Sequence, residues 1–148
     1  SAELTAQVTR LRGRLDRHRI EALAGKPLAA LIVALRAANA AMTKHSAAKN
    51  IEAYLEANVA FHNAIVQTAN NEPLQRAIET LNEMAQPIRF ALLASRFEKS
   101  KAISEHEKII KLLVKGDLAN AALFMEQHVV RNIGTASSLY RQPRSTPA

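Results

Sequence analysis

Along this chain apolar residues recur three and four positions apart, and period-two alternation is hard to find, so the pattern predicts helix throughout. The first helix is expected from about Ala2 to Leu23, with a stripe of Leu4, Val8, Leu11, Leu15 and Ala22. Gly25 closes it, and Pro27 opens the next helix where its missing N–H costs little. The second helix reaches about Lys44 on Leu28, Leu31, Leu35 and Met42. The third runs from about Lys49 to Ala69 and stops at Asn70-Asn71, because Asn tolerates the left-handed turn and caps a following helix. The fourth spans from Glu72 or Pro73 to about Phe97, with Pro87 expected to kink or split it. Ser104 with Glu107 three residues on has the form of a capping box for a fifth helix, which ends at Gly116. Asp117 caps a sixth that reaches about Tyr140, with Gly134 as its weak point. The fold expected is all-α, an antiparallel bundle of six to seven helices over residues 1–141, followed by a frayed tail at 142–148.

Composition narrows the function classes. The 148 residues suit one domain, and 48% hydrophobic with 22% charged residues is ordinary for a globular protein. There is no cysteine, which excludes thiol catalysis, disulfides and a zinc finger. No apolar run approaches a membrane span and no signal peptide is visible, so a cytoplasmic chain with no membrane partner is expected. The net charge of +7 invites a nucleic-acid reading. Against it, aromatic residues are only 4%, and the Arg10–Arg19 cluster is interleaved with leucines as on a solvated helix face.

The histidines carry the chemistry. His62 shares its face with Asn58 one turn earlier and with apolar neighbours. His106 precedes Ile109 and Leu113 on an apolar stripe, and His128 follows Ala121 and Met125 on another, with Asn132 one turn on. A buried histidine is usually satisfied by a single hydrogen bond. Three inward rings on three helices, with an inward Asn, also suit one shared divalent metal ion, which would satisfy them all. His18 and His45 lack such stripes and are expected at the surface. Glu105 and Glu107 flank His106 and read as solvated carboxylates in a first helical turn. Catalytic signatures such as His-Glu-x-x-His, paired Glu-x-x-His, a phosphate-binding Gly loop or a Gly-x-Ser-x-Gly elbow are missing, so no catalytic residue is assigned. A small metal-dependent hydrolase and a structural helical adaptor are the competing classes.

One ordered series of residues adds to this reading. It runs Asn58-x-x-Phe61-His62, Asn70 or Asn71 with Leu74, Glu105-His106, Gly116-Asp117 with Ala121 or Ala122, then Met125 and His128. Arg12-Gly13-Arg14-Leu15-Asp16 with Leu23-Ala24 precedes it. The series resembles the C-terminal effector-binding (FCD) domain of GntR-superfamily transcription regulators of the FadR subfamily, over about residues 8 to 132. The resemblance implies a ligand-sensing domain, not an enzyme. It implies a divalent metal, with zinc first and nickel or manganese as alternatives, held by Asn58, His62, His106 and His128. It implies a small organic acid effector whose carboxylate is helped by Arg12, with Arg89 as a second candidate. It also implies a homodimer, for which the Ala-rich second helix and the exposed side of the fourth are candidate faces. DNA would be met only through an N-terminal winged helix-turn-helix, for which there is no room ahead of the first helix here. One departure matters: the first ligand position holds Asn where the family more often has Asp, so the site loses one negative charge.

Overall fold

The computed structural model describes the backbone of residues 2–84 and 99–141 and the side chains of 3–84 and 101–131. Six helices make up the described chain: α1 (Ala2–Glu21), α2 (Ala29–Ala47), α3 (Ile51–Ala69), α4 (Glu72–Met84), α5 (Lys99–Val114) and α6 (Leu118–Arg141). No strand occurs among the described residues, and the fold is an all-α bundle. Pro87, Arg89 and the 142–148 tail lie outside the described residues. No described helix is long and apolar enough to cross a membrane.

The turns follow from their punctuation residues. Gly25 and Gly116 adopt φ of +75° and +73°, where an L side chain would be strained. At Gly116 the end of α5 is a Schellman turn: the Gly116 N–H donates to Leu113 O at 3.0 Å and the Asp117 N–H to Leu112 O at 2.9 Å. Asn50 caps α3 by accepting from the Ala53 N–H at 3.1 Å. Asn70 ends α3 in the left-handed region at φ 51°, and Asn71 accepts from the Leu74 N–H to start α4. Asp117 accepts from the Asn120 N–H at 3.2 Å at the start of α6, which continues unbroken through Gly134.

The main core is built by α1 and the turn after it, with α2, α3, α5 and α6, from Ile20, Leu23, Leu35, Phe61, Ile65, Ile109, Leu113 and Met125, among others. A smaller cluster of Met42, Tyr54, Ala57 and Ala102 joins α2, α3 and α5. The long pairings are α1 on α6 and α2 on α3 and α5.

Two sequence expectations are corrected. The inward face of α1 is not the leucine stripe. Leu4 and Leu11 are exposed, while Val8, Thr9, Gly13, Asp16, Arg19 and Ile20 are buried. Gly13 explains part of the rotation, because a Cβ there would sit 2.8 Å from Val130 Cγ2, so glycine sets how closely α1 approaches α6. Opposite charges explain the rest: Asp16 and Arg19 are three apart and enter the interior as a pair. The second correction concerns α5. The chain is already helical at Lys99, so Ser104 is a mid-helix residue and its spacing to Glu107 is not a capping box.

Candidate metal centre

Three helices aim one imidazole each at a common point. His62 stands on α3, His106 on α5 and His128 on α6, and one ring nitrogen from each lies within 4.8 Å of the others. His106 Nε2 and His128 Nε2 are 3.1 Å apart. The ring centroids of His62 lie 5.3 Å from His106 and 5.8 Å from His128. His106 and His128 are buried. His62 as a residue is half-buried, yet its Nδ1 is shut off from solvent. Phe61 stacks face to face on the His106 ring, at 3.8 Å between centroids and 7° between planes, and so fixes that ring's plane.

Two of these rings, His62 and His106, are short of partners. Burial, and then the neighbouring His106, His128, Arg19 and Arg12, hold His62 well below the ordinary imidazole range. Burial, then His128, does the same to His106. Both rings are therefore neutral near pH 7, the form that binds a metal ion. The Nδ1 atoms of His62 and His106 are buried without a hydrogen-bond partner among the described residues. Two neutral imidazoles, each with one orphaned nitrogen, and a third ring that converges on them from another helix fit a divalent metal by donor chemistry and spacing.

Around the rings lie groups that sequence reasoning placed wrongly or passed over. Glu105 is not solvated. It is buried, and its Oε2 accepts from His128 Nδ1 at 2.5 Å while its Oε1 accepts from Arg131 Nε at 3.2 Å. Burial opposes its ionisation, but the hydrogen bonds from His128 and Arg131 outweigh that, and the carboxyl is held below its ordinary range. Glu107 is exposed and accepts from Asn39 Nδ2 at 2.8 Å. Arg19, expected on a solvated face, is almost fully buried. Its Nη1 lies 3.0 Å from Asp16 Oδ1 and donates to the main-chain oxygen of His62 at 3.3 Å.

The other residues singled out in the sequence are placed as follows. Asn58 is half-buried on α3, one turn before His62. Arg12 is half-buried, its Nε donating to Asp16 Oδ2 at 2.8 Å and its Nη1 to Asn82 Oδ1. His18 is exposed and His45 half-buried, and neither joins the cluster. An open groove of about 460 Å³ between α3 and α4, lined by Gln67, Asn70, Glu72 and Arg76 among others, contains none of the clustered histidines. It carries no buried, unpartnered group, so the chemistry points to the imidazole cluster instead.

With this geometry in view, the comparison with known families is decisive for the domain. The FCD domain family matches residues 7–131. The chain belongs to that family. Its FCD domain is a ligand-sensing regulatory domain of the kind found in transcription regulators, and the family is regulatory rather than catalytic. No curated protein matches the chain.

Proposed function

We propose that this FCD domain is the C-terminal sensor of a bacterial GntR-superfamily, FadR-subfamily regulator, and that it binds a small organic acid at a divalent metal held in the bundle. The observation that carries the reading is the convergence of His62, His106 and His128 from three helices with two of their ring nitrogens unpartnered. Those three side chains would hold the ion, zinc before nickel or manganese, with Asn58 as the fourth, oxygen-donating position. The ion, when bound, supplies a Lewis-acidic point for a carboxylate oxygen.

The chain's own residues account for the preference for an acid. Arg12 and Arg19 stand close enough to His62 to depress its proton affinity, and one carboxylate, Asp16, lies between them. Two guanidinium groups against one carboxylate leave surplus positive charge, which favours an anionic ligand over a neutral analogue of the same shape. Arg12 is the candidate to pair with the ligand's charge, because it is half-buried where Arg19 is enclosed. Different affinity for two helix arrangements would then move the DNA-reading domains of a homodimer, and no bond of the effector need break.

The test is metal content by elemental analysis on protein made without a His tag or nickel column, followed by calorimetric titration with small carboxylates. Near one ion per chain, lost in His62→Ala, and carboxylate binding that disappears with the ion support the proposal. No ion, and no thermal shift on adding zinc, nickel or manganese, would sink it.

A further inference from the structure

The three imidazoles are not held alike. The buried Nδ1 atoms of His62 and His106 have no partner among the described residues, whereas His128 Nδ1 meets Glu105 Oε2 at 2.5 Å. Glu105 is itself pinned. Its second oxygen takes the Arg131 Nε–H at 3.2 Å, and the Arg131 guanidinium lies over the Phe124 ring at 5.4 Å from its centroid. Both carboxylate oxygens are thus directed, one to each α6 residue. α5 therefore contributes two things in consecutive positions: His106, a ring of the cluster, and Glu105, the group that holds the ring opposite.

From this geometry we infer that Glu105 is a positioning residue, which fixes His128 in the Nδ1-protonated tautomer and keeps its Nε2 lone pair turned toward His106 and available to a metal ion. An ionised carboxylate can only accept, so the nitrogen facing it carries the proton. In a neutral imidazole the other nitrogen then holds the lone pair, and that nitrogen is the one 3.1 Å from His106 Nε2. Carboxylates of this kind orient a ligating ring and raise its basicity. His128 is in this sense the preset ring of the cluster, and the metal role assigned to it rests on the proposed function above.

Two readouts separate the outcomes. The first is the histidine ¹⁵N spectrum of chelator-treated protein at pH 8, which reports each ring's tautomer. His128 is expected as the Nδ1–H form in the wild type and as a mixture in Glu105→Ala. The second is zinc affinity by competition with a chromophoric chelator, expected to fall roughly 10–100-fold in Glu105→Ala. Glu105→Gln, which keeps the shape, should lose less, and it carries the test should the alanine variant fold poorly. Glu107→Gln, on the same helix but facing Asn39, should change neither readout. An Nε2–H tautomer at His128 in the wild type overturns the inference, as does zinc affinity within twofold of wild type in both Glu105 variants. A wild type that shows the Glu105-dependent tautomer but takes up no zinc would refute the metal reading and leave the tautomer control standing.

Discussion

The buried Asp16–Arg19 pair offers a sharp test of how α1 is held. Both side chains are at most 2% exposed and lie 3.0 Å apart, with Arg12 2.8 Å from the same carboxylate. At an effective dielectric near 20, two unit charges at that separation attract by roughly 5 kcal/mol before desolvation is counted. Asp16→Asn removes the charge and keeps the volume. It leaves one enclosed and one half-buried guanidinium facing each other with no anion, and breaking a buried pair from one side costs about 3–5 kcal/mol. For a domain of this size, that loss corresponds to a fall in Tm of roughly 6–20 °C. Removing both charges is a different perturbation. Asp16→Leu combined with Arg19→Met leaves no unpaired Arg19, and replacing a buried pair by apolar groups is often neutral or stabilising. Urea unfolding followed by circular dichroism at pH 7 should therefore place the double variant closer to wild type than the single one. A loss under about 1 kcal/mol for Asp16→Asn, or a double variant less stable than the single, would refute the reasoning.

Three further outcomes follow from the same structure. His62 and His106 are both held below the ordinary imidazole value, so between that value and mildly acid pH the unfolded chain binds protons that the folded chain does not. Stability of chelator-treated protein should be full above about pH 6.5 and fall as pH drops, by up to about 1.4 kcal/mol per pH unit for each ring, and urea midpoints unchanged from pH 8 to 5.5 would contradict this. Gly13→Ala gains at most about 1 kcal/mol of helix propensity, but its methyl would meet Val130 Cγ2 at 2.8 Å, so a net loss of about 1 kcal/mol is expected; a stabilised variant in thermal melts would show that α1 and α6 part easily. Arg12→Ala should weaken carboxylate binding at least tenfold in calorimetry with metal content retained, and equal binding would remove Arg12 from the ligand site.

What was legible in the sequence, and what was not, divides along one physical line. Helix ends written by backbone chemistry could be read directly: Gly25, Asn70 and Gly116 sit in the left-handed region, as their residue types suggest. The three histidines could be read too, because each lies on an otherwise apolar stripe, and a polar ring on such a stripe stands out. The inward face of α1 could not be read, because a search for apolar spacing passes over Asp16 and Arg19. Their burial depends on mutual neutralisation and on the His62 carbonyl, a partner on another helix. The available signal was opposite charges three apart, in register with Val8 and Ile20 on the face that Gly13 also occupies. Glu105 was missed through the false start assigned to α5. Placed in a first turn it looks solvated, whereas on a helix already formed at Lys99 it shares a face with Ala102 and Ile109.

The missed residues share one property, which bears on how the cluster works. Asp16 and Glu105 are both buried carboxylates, and each is spent on cations of the chain itself: Asp16 on Arg12 and Arg19, Glu105 on His128 and Arg131. All four of their oxygens face those cations, and the oxygen donor expected at the first ligand position, Asn58, is neutral. An ion bound by three imidazoles and an amide would keep its full double charge, where an Asp at that position would cancel part of it. The consequence is a trade in which protein–metal attraction is lowered while attraction of the loaded site for an anion is raised. Asn58→Asp should reverse that trade, giving tighter zinc binding and weaker carboxylate binding in the same pair of titrations. Zinc affinity unchanged by the substitution would place Asn58 outside the coordination sphere and leave the three histidines as the whole protein contribution.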